Sequence, residues 1–238
     1  MTDNEKYIKQ YFAKANLQLD ELQATRFLEF YERLVEKNKV MNLTGITEFD
    51  EVLQKHFLDS VYGLDEFVSK ASYILDLGTG AGFPGIPLKI LCPEKEFVLM
   101  DSLQKRLRFL EEVKEGLKLE KLCFEHGRAE DLGHDKRYRE KFDLVLSRAV
   151  ANLSSLSELC LPFTKVGGYF ISYKSGACEE EVENAEKAIH LLGGKVEEVR
   201  KFMLPDSDIS RSLVIIMKIK ETKKQYPRKA GVPLKNPL

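Results

Sequence analysis

Apolar residues recur at two different periods along the chain, and the change divides the chain into two parts. Up to about residue 70 the spacing is three to four residues, as in residues 27–35 and 52–64, which is typical of amphipathic helices. A polar break, residues 38–45, separates these two helical stretches. From Tyr73 onward, short apolar runs alternate with helical stretches. The pattern therefore predicts a helical N-terminal region followed by strands and helices in alternation.

Short apolar runs in the second part predict strands. We place them at residues 73–77, 96–100, 122–125, 142–146, 169–173, 195–203 and 213–219. Strands that alternate with helices form a mostly parallel sheet with helices on both faces, so we predict a doubly wound α/β fold. The predicted units are a helical N-terminal cap over residues 1–70, a core over 71–220 and a C-terminal tail over 221–238 that packs on the core or extends from it.

The first predicted strand ends in a glycine-rich loop that precedes a helix. Its glycines are Gly78, Gly80, Gly82 and Gly85. A strand, a glycine loop and a helix begin a doubly wound domain that binds a nucleotide-like ligand. The loop fits the dinucleotide pattern from Gly80, or the S-adenosylmethionine (SAM) pattern from Asp76. A tight turn without a ligand is disfavoured, because four glycines in eight positions cost conformational entropy.

The start of the loop favours SAM over a dinucleotide. In the dinucleotide pattern the first glycine follows the strand directly, whereas Gly80 comes three residues after Leu77. An acidic residue at the strand end and a glycine right after the strand, here Asp76 and Gly78, fit the SAM pattern. An NAD-dependent oxidoreductase remains as an alternative, disfavoured by the late glycine and by the lack of a hydride-site residue set.

Composition excludes several classes of protein. The 238-residue chain is 43% hydrophobic with a net charge of −1, so any nucleic-acid contact must come from a local basic patch. The four cysteines are widely spaced and form no CxxC pair, which argues against a zinc site and a disulfide framework. The first residues show no basic n-region or apolar h-region, so we expect no signal peptide, and no apolar run approaches the length needed to span a bilayer. We expect a cytoplasmic protein with reduced thiols.

Candidate binding residues, most of them polar, follow several of the predicted strands, because ligands bind at the carboxyl ends of strands in such sheets. They are Gly78, Asp101, Ala129, Glu130, Ser147, Arg148 and Lys174. Asp101 lies about twenty residues past the glycines, where an acidic residue binds a ribose diol. Glu130 and the backbone of Ala129 could contact adenine. Phe83, within the glycine loop, either fills the core or forms one wall of the cofactor pocket.

His56 and Asp59 lie three residues apart on the second predicted helix and could share one face. The interpretation that we favour is a satisfied surface or interface pair. The N-terminal cap that contains them carries nine Lys/Arg and thirteen Asp/Glu, so it is not an obvious nucleic-acid surface.

The residues near the strand ends also limit the methyl acceptor. No Asn/Asp-Pro-Pro-aromatic motif, used for exocyclic amines, follows the fourth strand, and neither Cys92 nor Cys160 suits a cysteine nucleophile. The remaining acceptor is a group that is already nucleophilic, such as a ring nitrogen, which needs positioning and exclusion of water. A cation against that lone pair would oppose the transfer. Arg148 should instead bind the cofactor carboxylate, the O6 edge of a base or a phosphate. Lys174 should likewise stay away from the lone pair, or it is simply a solvated lysine at a strand end.

Motifs over nearly the whole chain, from about residue 41 to 238, resemble one family. They are LDLGTGAGFPGIPL, MNLTGI, HFLDS, DSLQKRLRFL, GRAEDL, SRAVANL and YPRKAGVPLKNPL. The chain resembles the RsmG (GidB) family of bacterial 16S rRNA 7-methylguanosine methyltransferases.

The resemblance implies a seven-stranded SAM-dependent methyltransferase sheet with an antiparallel last strand and an N-terminal helical extension. It implies cofactor contacts at Gly78, Phe83, Ala129, Glu130 and Arg148; the loop pattern adds Gly80, and the strand-end position adds Asp101. The implied substrate is N7 of one guanine in the decoding-region loop of 16S rRNA, conventionally position 527, presented by the RNA or the small ribosomal subunit. We take Arg148 and Lys174 as the candidate catalytic residues and expect a monomer without a metal. A non-catalytic RNA-binding or assembly factor is the alternative.

The C-terminal tail supplies a local basic patch. Residues 218–238 contain seven Lys/Arg and one acidic residue, Glu221, with Tyr226 and three prolines among them. Such a segment can follow phosphates and stack on a base, although a merely solubilising tail is the alternative. We predict RNA contacts at Lys223, Lys224, Arg228 and Lys229.

Overall fold

A seven-stranded sheet runs through the structure, a computed structural model that describes residues 1–148 and 151–238. Its strands are β1 (Tyr73–Leu77), β2 (Glu96–Asp101), β3 (Leu122–His126), β4 (Phe142–Arg148), β5 (Thr164–Ser175), β6 (Gly194–Met203) and β7 (Ser210–Lys218). The strand order is β3-β2-β1-β4-β5-β7-β6, with β7 antiparallel to both of its neighbours and the other pairings parallel. The predicted mostly parallel sheet with an antiparallel last strand is confirmed.

Helices precede the sheet and connect its strands. The N-terminal region contains α1 (Asp3–Lys14), α2 (Glu21–Met41), α3 (Phe49–Val52), a π-helical segment (Leu53–Leu58), α4 (Asp59–Val61) and α5 (Asp65–Lys70). The remaining helices are α6 (Gly85–Leu91), α7 (Gln104–Gly116), α8 (Ala129–Leu132), α9 (Leu153–Cys160), α10 (Glu179–Leu191) and α11 (Val232–Lys235). The predicted helical N-terminal extension is therefore present. The predicted domain boundaries at residues 70 and 220 stay predictions.

Two predicted boundaries differ from the structure by four or more residues. The helix α2 continues through the predicted polar break to Met41 and ends at Asn42, whose φ of 49° is a left-handed conformation that asparagine tolerates. The strand β5 begins at Thr164 rather than at residue 169. Its two glycines lie at an irregularity of the β4–β5 pairing, and Gly167 has a φ of 85°, so they bend the strand without ending it.

Each face of the sheet is covered by a different set of helices. Ile74 on β1 belongs to a buried cluster with the N-terminal helices, α6 and α7, whereas the next residue, Leu75, packs in a cluster with α9 and α10. Successive side chains of a strand point to opposite faces, so this alternation makes the sheet doubly covered. The N-terminal helices reach the glycine loop through aromatic contacts, with ring centroids 5.4 Å apart for Phe30 and Phe83.

Within residues 1–148 and 151–238, no helix is both long and apolar enough to cross a membrane. The same residues contain no group of three or more His, Cys, Asp or Glu side chains that could hold a metal ion. All four cysteines are free.

Candidate active site

The carboxyl ends of β1 and β2 and the start of α8 enclose a cleft of about 140 Å³. Its lining includes four predicted cofactor residues, Gly78, Asp101, Ala129 and Glu130. The other lining residues are Leu77, Met100, Ser102, Gly127, Arg128, Leu159 and Leu234. The fold therefore brings together residues that the sequence separates by more than fifty positions.

The four glycines of the loop have two different roles. Gly78 and Gly80 adopt φ values of 74° and 61°, and a Cβ built at Gly80 has its nearest neighbour 3.9 Å away. A Cβ at Gly82 would lie 2.7 Å from a side-chain carbon of Ile86, and one at Gly85 would lie 2.8 Å from a carboxylate oxygen below the loop. The first two glycines thus shape the loop beside the cleft, while the last two allow close packing under it.

Asp76 is the carboxylate that lies under the loop. Its Oδ2 accepts hydrogen bonds from Thr79 Oγ1 at 2.6 Å and from the Gly85 amide at 2.8 Å. Its Oδ1 is buried and has no hydrogen-bond partner in the described part of the chain. Burial raises the pKa of Asp76 to about 6. The residue fixes the loop and leaves one acceptor oxygen without a protein donor.

Asp101 connects the loop to the end of β2. Its Oδ2 accepts from the Gly80 amide at 2.9 Å and from Arg106 Nη1 at 3.3 Å, and its Oδ1 accepts from the Leu103 amide at 2.8 Å. A carboxylate offers about four acceptor positions, so one remains for a ribose hydroxyl. The hydrogen-bond acceptors at the cleft therefore fit a nucleoside. Asp101 can accept a hydrogen bond from a ribose hydroxyl, and Glu130 supplies a second carboxylate.

Arg148, at the end of β4, is not among the residues that line this cleft and lies in a largely buried cluster. Its Nη1 is 3.5 Å from Asp59 Oδ2, and its Nη2 is 3.4 Å from His56 Nδ1. Its guanidinium carbon lies 5.0 Å from the ring centroid of Phe83, on which the His56 ring stacks at 4.6 Å. The Arg148 side chain is only 14% exposed. Its position is thus fixed by an ion pair, a polar contact and an aromatic face.

A second arginine shares the Asp59 carboxylate. Arg211 on β7 donates through Nε to Asp59 Oδ1 at 2.9 Å. Burial raises the pKa of Asp59, and the two arginines limit that rise. Burial likewise lowers the pKa of Arg148 while Asp59 opposes the change, and arginine keeps its charge in proteins. We call His56, Asp59, Phe83, Arg148 and Arg211 the Arg148 cluster. Two cations on one carboxylate leave an excess positive charge suited to an anionic or oxygen-rich ligand.

Comparison with known proteins identifies the family. A family model described as rRNA small subunit methyltransferase G matches residues 23–214. The chain belongs to that family. It is 52% identical over 239 residues to the Ribosomal RNA small subunit methyltransferase G of Lachnoclostridium phytofermentans, covering 100% of this chain and 98% of that protein. It is 50% identical over 229 residues to the protein of the same name from Lactobacillus johnsonii, covering 95% and 96%.

Solved structures show the same fold at low sequence identity. TYW2 of M. jannaschii, crystallised in complex with AdoMet, matches with a TM-score of 0.52 and 16% identity over 68% of this chain and 77% of that one. A candidate O-methyltransferase from Klebsiella pneumoniae matches with a TM-score of 0.55 and 13% identity over 90% and 97%. The predicted resemblance and fold class are thus confirmed, and both the family and the fold support the predicted cofactor, SAM.

In this rRNA methyltransferase G chain, a π-helical segment brings His56 and Asp59 to Arg148. Residues 53–58 form a wider turn than an α-helix, a feature frequent at functional sites. The favoured interpretation as a satisfied surface or interface pair did not identify these partners, because the spacing of the two residues says nothing about what packs on them. Arg211 was missed entirely, since it belongs to a strand far along the sequence with no motif around it.

The buried His56 ring makes part of the folding stability pH-dependent. Burial, with a smaller effect of Arg148, lowers the pKa of His56 from its ordinary 6.5 to about 4. The folded state then resists protonation that the unfolded state accepts below pH 6.5. The contribution of neutral His56 to the free energy of unfolding is therefore fully present above pH 6.5. It amounts to about 3 kcal/mol and is lost as the pH falls towards 4.

We expect a His56→Gln variant to lose this part of the pH dependence. Urea denaturation of both proteins from pH 7.5 to 4 measures it. The free energy of unfolding of the unmodified chain should fall more steeply between pH 6.5 and 4. Asp59 and Asp76, whose raised pKa values act in the opposite direction, are present in both proteins and cancel. If the free energies of unfolding of the two proteins change with pH in parallel, His56 is not buried in its neutral form.

Lys174, the second predicted catalytic residue, lies on the opposite face of the sheet from Arg148. Arg148 is paired in register with Tyr173, whose hydroxyl donates to the Ser60 carbonyl among the N-terminal helices. The next side chain along β5 therefore points the other way. Lys174 Nζ contacts Glu181 Oε1 at 2.6 Å. The structure thus does not bring Lys174 to the Arg148 cluster.

The four predicted RNA contacts in the tail of this methyltransferase occupy different environments. Lys223, Lys224 and Lys229 are exposed. Arg228 instead makes a two-point contact with the buried Glu158, with Nη2 2.6 Å from Oε2 and Nε 2.9 Å from Oε1. We therefore treat Arg228 as an anchor that holds the tail on α9, and keep the three lysines as candidate RNA contacts.

Proposed function

We propose that this chain transfers a methyl group from SAM to N7 of one guanine in the decoding-region loop of 16S rRNA. The observation that carries the proposal is the cleft at the strand ends, where the glycine loop and Asp101 meet Ala129 and Glu130. The family supports an rRNA of the small subunit as the substrate. We expect the reaction to take place in the cytoplasm, on the RNA or on the particle that contains it.

The residues of the cleft fit the nucleoside half of the cofactor. SAM supplies an electrophilic methyl group on a sulfonium. Asp101 would accept a hydrogen bond from a ribose hydroxyl, and the backbone of Ala129 with Glu130 would contact the adenine edge. Gly78 and Gly80 keep side chains away from the ligand.

The side chains near the cleft favour an acceptor that needs no activation. Cys160 is fully buried on α9, and burial raises its thiol pKa well above the ordinary value, which keeps the thiol protonated. Ser147 donates its hydroxyl to the Leu77 carbonyl at 2.9 Å and is also buried. Neither side chain suits a nucleophile or a strong base. A guanine N7 lone pair reacts directly once it is positioned and water is excluded.

Arg148 is the charged residue that we assign to this reaction. Transfer moves positive charge onto the guanine ring, so a cation against N7 would oppose it. Arg148 is held instead by Asp59 and Phe83, where its remaining donors can bind the cofactor carboxylate, guanine O6 or a phosphate. We leave Lys174 out of this role, because its ammonium group pairs with Glu181.

Single-turnover methyl transfer tests the proposal. The full chain is incubated with SAM labelled in its methyl group and with small-subunit rRNA, offered naked and in particles. We expect label to enter the RNA with at least one of these substrates. Binding of SAM without transfer to any of them would support the non-catalytic assembly factor instead. No binding of SAM would contradict the assignment of the cleft.

The exposed tail lysines should contribute to the salt dependence of RNA binding. We expect a Lys223→Ala, Lys224→Ala, Lys229→Ala triple variant to bind the loop RNA more weakly. Its plot of log affinity against log salt should be shallower by about 2, because three phosphate contacts to a single strand release about 0.7 counterion each. Filter binding over a salt series measures the slope. A slope equal to that of the unmodified chain would show that the lysines only solubilise the tail.

A further inference from the structure

The last residues of the chain fold back onto the cleft. Three contacts fix their path. Arg228 pairs with Glu158 on α9, the Gly231 amide donates to Glu130 Oε1 at 2.8 Å, and Ser155 Oγ donates to the Pro233 carbonyl at 2.7 Å. The tail is therefore attached along its length to the helices that border the cleft.

The anchor of this segment is its strongest contact. Glu158 is fully buried, and its carboxylate accepts three hydrogen bonds shorter than 3.0 Å from the backbone N, Nε and Nη2 of Arg228. A buried carboxylate needs such a partner, since its desolvation is otherwise uncompensated. The same guanidinium donates to the Asn236 carbonyl at 2.8 Å, which fixes the chain on both sides of α11.

The turn between the anchor and α11 uses one of the proposed adenine contacts. Gly231 adopts a φ of 81°, a left-handed conformation that glycine allows, and its amide points at Glu130. Glu130 is almost completely buried. One of its carboxylate oxygens is therefore occupied by the tail, and the tail fixes how this side chain is presented to the cleft.

The turn then delivers Leu234 to the cleft itself. Leu234 lines the cleft together with Gly78, Asp101 and Ala129. Leu159 from α9 is a second leucine in this lining. Its side chain is 49% exposed. Such a cleft suits a planar ring with polar edges. The face of the ring is stabilised by contact with an apolar side chain, and its edge can form hydrogen bonds with the carboxylates.

We infer that Gly231–Leu234 form one wall of the adenine site, with Leu234 against the ring and Arg228 as the positioning residue that holds the wall in place. The inference rests on the proposed cofactor. It adds a contact from the far end of the chain to a site otherwise built from the glycine loop, β2 and α8. The tail thus takes part in cofactor binding as well as in the proposed RNA contact.

Calorimetric titration of the full chain with SAM and with 5′-methylthioadenosine tests the inference. We expect Leu234→Ala to weaken both ligands by the same factor, about three- to tenfold, because only the shared adenosine half touches the wall. Leu191→Ala, at another partly exposed leucine far from the cleft, is the matched control and should bind as the unmodified chain does. Arg228→Lys, which keeps the charge but not the two-point geometry, should give an intermediate loss for both ligands.

The other outcomes separate failure of the wall from failure of the proposed function. If the unmodified chain binds SAM and Leu234→Ala binds it equally well, the wall is wrong while the proposed cofactor stands. Tighter binding by Leu234→Ala would show that the tail obstructs the cleft, which also overturns the inference. If the unmodified chain binds neither ligand, both the proposed function and the wall are overturned.

Discussion

Replacing Arg148 with alanine is expected to lower kcat/KM for rRNA methylation by about a hundredfold to a thousandfold. The guanidinium is held by Asp59, His56 and Phe83 before any ligand binds, so its orientation costs little at the moment of reaction. Removing a preorganised charge of this kind removes an interaction that water does not replace. Initial rates with labelled SAM and small-subunit rRNA measure the effect.

The group that Arg148 binds can be identified by whether the variant binds SAM or rRNA more weakly. A larger dissociation constant for SAM would assign the arginine to the cofactor carboxylate, and a larger KM for rRNA would assign it to the base or to a phosphate. Arg137→Ala is a suitable control, because that side chain is 63% exposed and pairs with Asp135 outside the cleft. Activity of Arg148→Ala close to that of this control, with an intact fold, would remove Arg148 from the mechanism.

The second large effect concerns stability. We expect Arg228→Ala to lower the free energy of unfolding by about 3 kcal/mol, because it leaves the fully buried Glu158 carboxylate without its cationic partner. In a chain of this size that corresponds to a fall in Tm of about 6–12 °C. Thermal and urea denaturation measure it. Lys229→Ala, at the exposed neighbouring position, should change stability by less than about 0.5 kcal/mol.

A double variant separates the ion pair from general disruption of the tail. Arg228→Met combined with Glu158→Leu removes both charges and keeps apolar volume, so it should recover most of the stability lost by Arg228→Ala. If the double variant is as unstable as Arg228→Ala, the cost comes from lost packing of the tail and not from an unpaired buried charge.

The sheet and the cofactor cleft could be predicted because their signals are local. Each buried strand is a short apolar run, and the residues that follow β1, β2 and β3 must meet at one edge of a mostly parallel sheet. Gly78, Asp101, Ala129 and Glu130 were found in this way, and all four line the cleft. The distinction between the first two and the last two glycines needed the structure, since it depends on which side chains pack beneath the loop.

The Arg148 cluster could be predicted only in part, because it depends on contacts between distant elements. Arg148 ends a strand and was found from its position, but its partner Asp59 lies behind a π-helical turn that no apolar pattern indicates. Lys174 shows a second limit of reasoning from strand ends. It ends a strand as Arg148 does, yet strand side chains alternate, and only the pairing of Arg148 with Tyr173 shows that the two cations point to opposite faces.

The tail shows what composition alone leaves open. A run of basic residues with prolines predicted a single RNA-binding surface, and nothing local distinguishes Arg228 from Lys229. The difference arises from Glu158, seventy positions earlier on a helix whose acidic side chain is buried. A charge that pairs over such a separation cannot be recognised from the sequence of the tail itself.

Mapping the methylated position is the decisive test of whether this chain methylates one guanine at N7. RNA methylated by the full chain is treated with borohydride and aniline, which cleave the strand at 7-methylguanosine, and primer extension locates the break. We predict one new stop, in the decoding-region loop, that depends on SAM and is lost with Arg148→Ala. Methyl label that enters the RNA without any cleavage would contradict methylation at N7. Cleavage at many guanines would contradict methylation of a single guanine.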